Sequence, residues 1–426
     1  MTDSASAPPA NGRNESRLGL QFRVAGVFAA LTVLVTALLL SVAVSNYVRT
    51  GDGVGGDFLT DYAAGYLVRT GDGDRLYDLN TQAATEIAVS PAGENARLNP
   101  FVLLPAAAWM FAPLSLLPFR VAHILFTAAN LVALLGAVLL LRCEMEGVAA
   151  PVRNALLLAF VFSMPVVTNI SWGQIDLLLV YAALLGWRCL RSDREVLAGA
   201  AFSLALMKPH FLVGILILMV LQRRWKTLGT LAAIGGITLV PAALALGNGA
   251  LTDYGRLVLG ITKMPAEIDA QPHRMANWRG FVVSMSNRDE LLLWLPGAAL
   301  LGSLAMWLSA KEWRRDACSP RSYALAVALP LLLSPHVHMQ SMMLLFVAIG
   351  LVLPNAPLRI AVVRGWSLDT RAALLFLVPV LFVGYFLTAT VLAVMVVVTA
   401  GVFVWCAVGP REAAQELVDT SLPLAA

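Results

Sequence analysis

Charge is scarce in this chain. Lys, Arg, Asp and Glu make up 13% of its 426 residues, where a soluble globular domain carries about 25%. That shortage excludes an ordinary soluble enzyme. The small net charge of +4 gives no reason to expect a nucleic-acid partner. Cysteine is sparse too. Cys143, Cys189, Cys318 and Cys406 are widely spaced and fall near predicted cytoplasmic helix ends, so neither outer-face disulfides nor a Cys-based metal site is expected. Histidine occurs five times, without an H-E-x-x-H pair or an Asp-rich metal loop of firm spacing. No internal repeat and no separate soluble domain stands out.

Apolar residues are what the chain has in quantity, at 59% with a mean hydropathy of +0.76. Runs of about 20 apolar residues recur, the length that crosses a hydrocarbon core of roughly 30 Å. A transmembrane barrel would instead show alternating segments of about 10 residues. The expected fold is therefore an all-α polytopic membrane protein. The first run, Val24 to Val48, is too long for a signal-peptide core and lacks an A-x-A-like site, so it reads as a signal anchor. Further segments fall at about 101–117, 121–141, 154–170, 174–190, 195–207, 209–222, 227–247, 291–310, 322–334, 339–353, 372–387 and 389–407.

Clusters of Arg and Lys orient these segments. Arg13, Arg17 and Arg23 precede the first; Arg142 with Arg153, Arg188 with Arg191 and Arg194, Arg223 with Arg224 and Lys226, Lys311 with Arg314 and Arg315, and Arg359 with Arg364 and Arg371 mark later cytoplasmic connections. Parity then requires 101–117, interrupted by Pro105 and Pro113, to be re-entrant or of half height. About twelve spans result, within a range of eleven to thirteen. Residues 1–23 read as a disordered cytoplasmic tail, 24–408 as one transmembrane domain with outer loops 49–100 and 248–290, and 409–426 as a cytoplasmic tail. Short amphipathic helices in the outer loops, FLTDYAAGYLVRT, DLNTQAATEIAV and LTDYGRLVLGITKM, are expected to lie along the interface.

Carboxylates concentrate in one outer stretch, Gly51 to Asp78, which holds Asp52, Asp57, Asp61, Asp72, Asp74 and Asp78. Asp57 follows a glycine pair at a helix start. It suits an N-cap or first-turn acid, and it equally suits a general base. Asp61 and Tyr62 lie one turn on, and a like-charge neighbour such as Asp61 raises a carboxyl pKa.

Other polar groups sit at membrane level, where they are expensive and usually have a role. Gln174 and Asp176 in WGQID form either a polar helix cap or a sugar- or phosphate-binding turn. Lys208 and His210 flank a proline; Lys208 either snorkels to the surface or binds an anion beside a helix start. His336 and His338 in SPHVHM are core residues or face a ligand from an extended turn. Arg279 in ANWRGF faces lipid headgroups or grips a phosphate bidentately. One carboxylate opposite several cations is the chemistry of group transfer from a phosphate donor to a hydroxyl. Broken helices with ionisable residues also fit a secondary transporter or flippase for a lipid-linked or small anionic substrate.

The order GGDFLTDYAAG, GD…LY, NPFVLLPAAAW, WGQID, LMKPH and SPHVHM resembles glycosyltransferase family 87, from about Val24 to Leu353. The tail from Leu358 is similar only as apolar helices. The resemblance implies a GT-C fold and a hexosyltransferase of the cell envelope that takes mannose or another hexose from a polyprenyl-phosphate donor. Transfer would invert the sugar at the outer face of the cell membrane, onto a lipid or glycan hydroxyl. It places the catalytic aspartate at Asp57, donor-phosphate contacts at Lys208, His336 and His338, and a sugar contact at Gln174. Many relatives have Asn at the position of Asp176, which makes Asp176 a second candidate acid and a candidate determinant of specificity. No metal or cofactor is implied, since the leaving group is a lipid monophosphate that protein cations can stabilise.

Overall fold

The computed structural model describes residues 10–50, 56–93, 99–260, 275–355, 359–363, 366–386, 396 and 398–404. Parts of the expected outer loops (51–55, 94–98, 261–274), most of the last apolar segment and the C-terminal tail lie outside the described residues, as do residues 1–9.

The chain is an all-α polytopic membrane protein, helical apart from one short hairpin among the described residues. Its helices are α1 (Ala10–Thr50), α2 (Gly56–Thr70), α3 (Leu79–Val89), α4 (Pro105–Phe111), α5 (Phe119–Glu144), α6 (Ala150–Val161), α7 (Met164–Trp172), α8 (Asp176–Arg191), α9 (Glu195–Ser203), α10 (Val213–Leu221), α11 (Trp225–Gly260), α12 (Trp278–Ser286), α13 (Leu291–Arg315), α14 (Pro320–Leu333), α15 (Met343–Val352) and α16 (Thr370–Phe386). A short antiparallel hairpin, β1 (Arg359–Val363) with β2 (Trp366–Asp369), precedes α16.

Among the described residues five helical stretches are long and apolar enough to cross a membrane: Arg17–Arg49, Phe119–Glu144, Ala150–Trp172, Trp225–Gly247 and Leu291–Arg315. The stretches Glu195–Met207, Pro209–Leu221, Pro320–Leu333, Met339–Val352 and Thr370–Tyr385 form shorter apolar helices. Prolines and 3₁₀ turns account for several of the breaks. Pro209 removes a backbone donor and biases Lys208 toward extended backbone, and Lys208 joins two 3₁₀ turns at φ −130°. Such breaks are tolerated at membrane depth only where protein or water satisfies the freed groups.

The 101–117 stretch gives only the seven-residue α4 and a 3₁₀ turn, far short of a crossing. Two expectations need correction. The tail read as disordered through residue 23 is helical from Ala10, because the apolar anchor extends its hydrogen-bond ladder into the polar residues before it. The segment FLTDYAAGYLVRT does not lie on a surface: α2 is buried from Phe58 through Gly65. Gly65 lets it approach α4 closely, since a Cβ there would come within 2.5 Å of the Phe111 carbonyl carbon.

Two apolar cores result. The larger surrounds α14 and α15, buried on nearly every face, with Tyr323 and Phe346 inside. The smaller surrounds Phe58, whose ring meets Phe111, Phe119, Phe126 and His123 at centroid distances of 5.0–6.1 Å. This second core fixes α2 against the start of α5. At the other end of α5, Glu144 accepts from Trp187, Arg188 and Arg191 at the end of α8. Outward faces of α1, α5, α11 and α13 remain apolar and exposed, Val132 and Leu300 among them, as lipid-facing surfaces should be.

Candidate active site

The site begins with Asp57 in the first turn of α2. Two side-chain amides hold its carboxylate. Asn99 donates to Oδ1 at 3.0 Å, and Gln174 donates to Oδ2 through a short hydrogen bond. The Asn99 contact depends on α3. Gln82 and Glu86, one turn apart on that helix, read alternate backbone amides of the incoming chain: the Phe101 N–H donates to Gln82 Oε1 at 2.9 Å, and the Asn99 N–H to Glu86 Oε2 at 3.2 Å. The i, i+4 spacing of a helix is thus used as a template for an extended segment.

Gln174 is placed by the end of α7. Gly173 takes the left-handed conformation at φ 69°, the usual helix stop, and the Gln174 N–H donates to the Asn169 carbonyl at 2.8 Å. Only glycine fits here, because a Cβ would lie 2.5 Å from the Phe58 Cβ. The WGQ turn and the start of α2 are therefore packed as one unit, with Trp172 against Gly56.

From Gln174 the chain of contacts continues to Lys208, whose Nζ donates to Gln174 Oε1 at 2.8 Å and to Asp176 Oδ2 at 2.6 Å. Asp176 is nearly fully buried and accepts from the Ser341 hydroxyl at 2.7 Å through its other oxygen. Ser341 sits in the 3₁₀ turn after SPHVHM. Asn99, Asp57, Gln174, Lys208, Asp176 and Ser341 form one continuous hydrogen-bonded chain drawn from five separate stretches of sequence.

Asp61 and Glu86 complete a group of acids. Burial, before anything else, pushes the Asp61 carboxyl well above its ordinary value, with Asp57 and Glu86 adding to the rise and Lys208 opposing it. Burial likewise raises Glu86 to about 8. Asp57 is raised by burial, but the Gln174 hydrogen bond and the Lys208 charge pull it back down. An acid tuned upward while still able to ionise suits a general base near neutral pH.

His336 and His338 meet edge to face with centroids 4.6 Å apart. The His336 Nδ1 is buried without a hydrogen-bond partner. Burial first, then the positive charges of neighbours including Lys208 and Arg279, hold its pKa well below the ordinary value. His210 lies against Phe211 at 4.2 Å, and its Nε2 is likewise buried and unpartnered.

Three expectations change. Arg279 does not offer a free fork: its guanidinium is buried and paired bidentately with Asp289, with its face toward the Trp294 ring. The Tyr62 hydroxyl donates to the Leu117 carbonyl at 2.7 Å, which makes it an anchor between α2 and the turn before α5. Asp176 is the counterion of Lys208, which leaves it poorly suited to act as a second acid. Asn99, Glu86 and Ser341 were missed. Asn99 opens the NPFVLLPAAAW element that carries part of the resemblance, so a signal for it existed. Glu86 and Ser341 look like ordinary helix and turn residues.

The model of glycosyltransferase family 87 matches residues 101–335, more than half of the chain. The chain belongs to glycosyltransferase family 87. It is thus a membrane glycosyltransferase. The matched span includes Gln174, Asp176 and Lys208, while Asp57, Glu86 and Asn99 precede it and Ser341 follows it. No curated protein and no solved structure matches the chain.

Proposed function

We propose that this family 87 enzyme transfers a hexose, mannose in the first instance, from a polyprenyl-phosphate donor to a hydroxyl of a lipid or glycan acceptor, with inversion and with Asp57 as the general base. The observation that carries the reading is the placement of Asp57. Its carboxylate is fixed by two amides and linked through Gln174 to Lys208. An ionised carboxylate has about four acceptor sites, so two remain to take a proton. In the reaction the acceptor oxygen bonds to the anomeric carbon as the bond from that carbon to the phosphate oxygen breaks. The hydroxyl proton passes to Asp57 and the lipid phosphate departs with the bonding electrons. The Lys208 ammonium has three donors, two of them engaged, and the third is available to the phosphate.

The site belongs on the outer face of the cell membrane. Asp176 and Arg191 lie at opposite ends of α8, and the Glu144 end of α5, with its arginines, is the end far from Phe58. Positive residues favour the cytoplasmic side, which leaves the Asp57 end outside.

Purified protein in an assay with a polyprenyl-phosphate hexose and a lipid acceptor tests the reading. Asp57→Asn should fold, insert and bind donor while losing turnover by about 10²-fold or more, the contribution of a general base. Undiminished turnover would refute the base assignment. Movement of lipid-linked sugar across vesicles, with no new glycosidic bond, would refute the transfer itself.

A further inference from the structure

A second polar feature lies at the far end of the molecule from Asp57. Between the last turn of α5 and the first turn of α6 is a hollow of about 380 Å³, lined by Leu139, Arg142, Cys143, Glu146 and Arg153. Three other arginines at this end are engaged: Arg188 and Arg191 pair with Glu144, and Arg224 pairs with Asp193 and Glu195. Among the described residues Arg142 and Arg153 make no ion pair, and the Nε of Arg153 is buried with no hydrogen-bond partner. A buried donor left unsatisfied costs about 1–3 kcal/mol, so its persistence beside an open hollow points to a missing acceptor.

We propose that this hollow binds the phosphate headgroup of an anionic phospholipid. Two guanidiniums against one carboxylate leave the lining net positive, and their planar forks match phosphate oxygens bidentately. The depth is right: Arg142 stands in the last turn of a membrane-spanning helix, at the level of headgroups. Leu139, one turn deeper and 53% exposed, continues the hollow onto the lipid-facing surface of α5, where an acyl chain would lie. A free phosphate satisfies the arginines but leaves that apolar lip uncovered. Basic hollows between helices at the cytoplasmic face are a recurrent means of holding anionic lipids.

The test uses the full-length protein purified in a neutral detergent and native mass spectrometry. Phosphatidylglycerol, phosphatidylcholine and inorganic phosphate are added separately. Wild-type protein should retain phosphatidylglycerol preferentially. The double substitution Arg142→Gln with Arg153→Gln should weaken that retention by about tenfold or more, as expected for lost bidentate contacts. Arg223→Gln with Lys226→Gln removes two charges from the same end outside the hollow and should leave retention unchanged. If the first double variant is misfolded, Leu139→Trp, which crowds the hollow without altering charge, should give the same loss. Equal retention in the hollow variants, equal retention of phosphatidylcholine, or retention of inorganic phosphate without the lipid would each overturn the proposal.

Discussion

Asp176→Asn separates the two roles that a buried carboxylate beside Lys208 can play. The pair is close, at 2.6 Å, and its side chains are 14% and 3% exposed. At an effective dielectric of about 20 the gross attraction is about 6 kcal/mol, and breaking a buried pair from one side costs about 3–5 kcal/mol. Asparagine keeps one acceptor oxygen for Lys208 or Ser341, so the expected loss of stability is smaller, about 2–3 kcal/mol. Function should move the other way. Lys208 loses its competing anion, so the KM for a phosphate donor should fall. Asp176 also helps to raise the Asp57 carboxyl. Removing its charge lowers the Asp57 pKa, the base stays ionised to lower pH, and the acid limb of kcat/KM should shift toward lower pH. Detergent-based unfolding and a pH series of transfer rates measure both effects. A variant with wild-type stability and an unmoved acid limb would refute the ion pair as the setting of Asp57.

Glu86→Gln should make stability less dependent on pH. The folded-state pKa of Glu86 is raised to about 8 from an ordinary 4.5, so the folded state holds a proton that the unfolded chain releases, and stability falls as pH rises across that window before levelling off. The glutamine keeps an acceptor for the Asn99 N–H and removes the titration; melting curves at pH 5, 7 and 9 should converge relative to wild type, and an unchanged spread would contradict the assignment. Gly173→Ala combines a left-handed φ of 69° with a Cβ 2.5 Å from that of Phe58, a cost of about 2–4 kcal/mol. Displacing Gln174 should also reduce turnover, by up to about 10²-fold for a 1 Å shift, and an active, stable variant would show that the WGQ turn does not position the base.

The all-α membrane fold was legible because apolar length is a one-dimensional signal. The half-height 101–117 segment followed from its prolines and from charge parity, and α4 bears it out. The burial of α2 was not legible. Its polar residues, Asp57, Thr60 and Asp61, suggested a surface helix, whereas they face protein groups supplied from more than 30 residues away: Thr60 reaches the Asn99 carbonyl, and Asp57 reaches Asn99 and Gln174. Arg279 misled for a related reason. The next carboxylate after it in sequence, Asp289, lies across the end of α12, and only the turn after that helix shows that the two meet.

Charge density first marked the outer stretch as acidic, yet density does not choose a base among Asp57, Asp61 and Glu86. Hydrogen-bond donors do. The Asp61 side chain is buried and makes no hydrogen bond among the described residues, so burial dominates and holds its carboxyl well above the ordinary value. Glu86 receives the Asn99 N–H, but burial still carries it to about 8. Asp57 is less buried than either and has an amide on each oxygen, one of them polarised by Lys208. Donors to a carboxylate stabilise its ionised form, so of the three it is Asp57 that gives up its proton first and can accept another during transfer. The neutral neighbours then have a purpose of their own. Ionised, they would repel the charge on Asp57 and any approaching phosphate; burial, by favouring their neutral forms, lessens that repulsion.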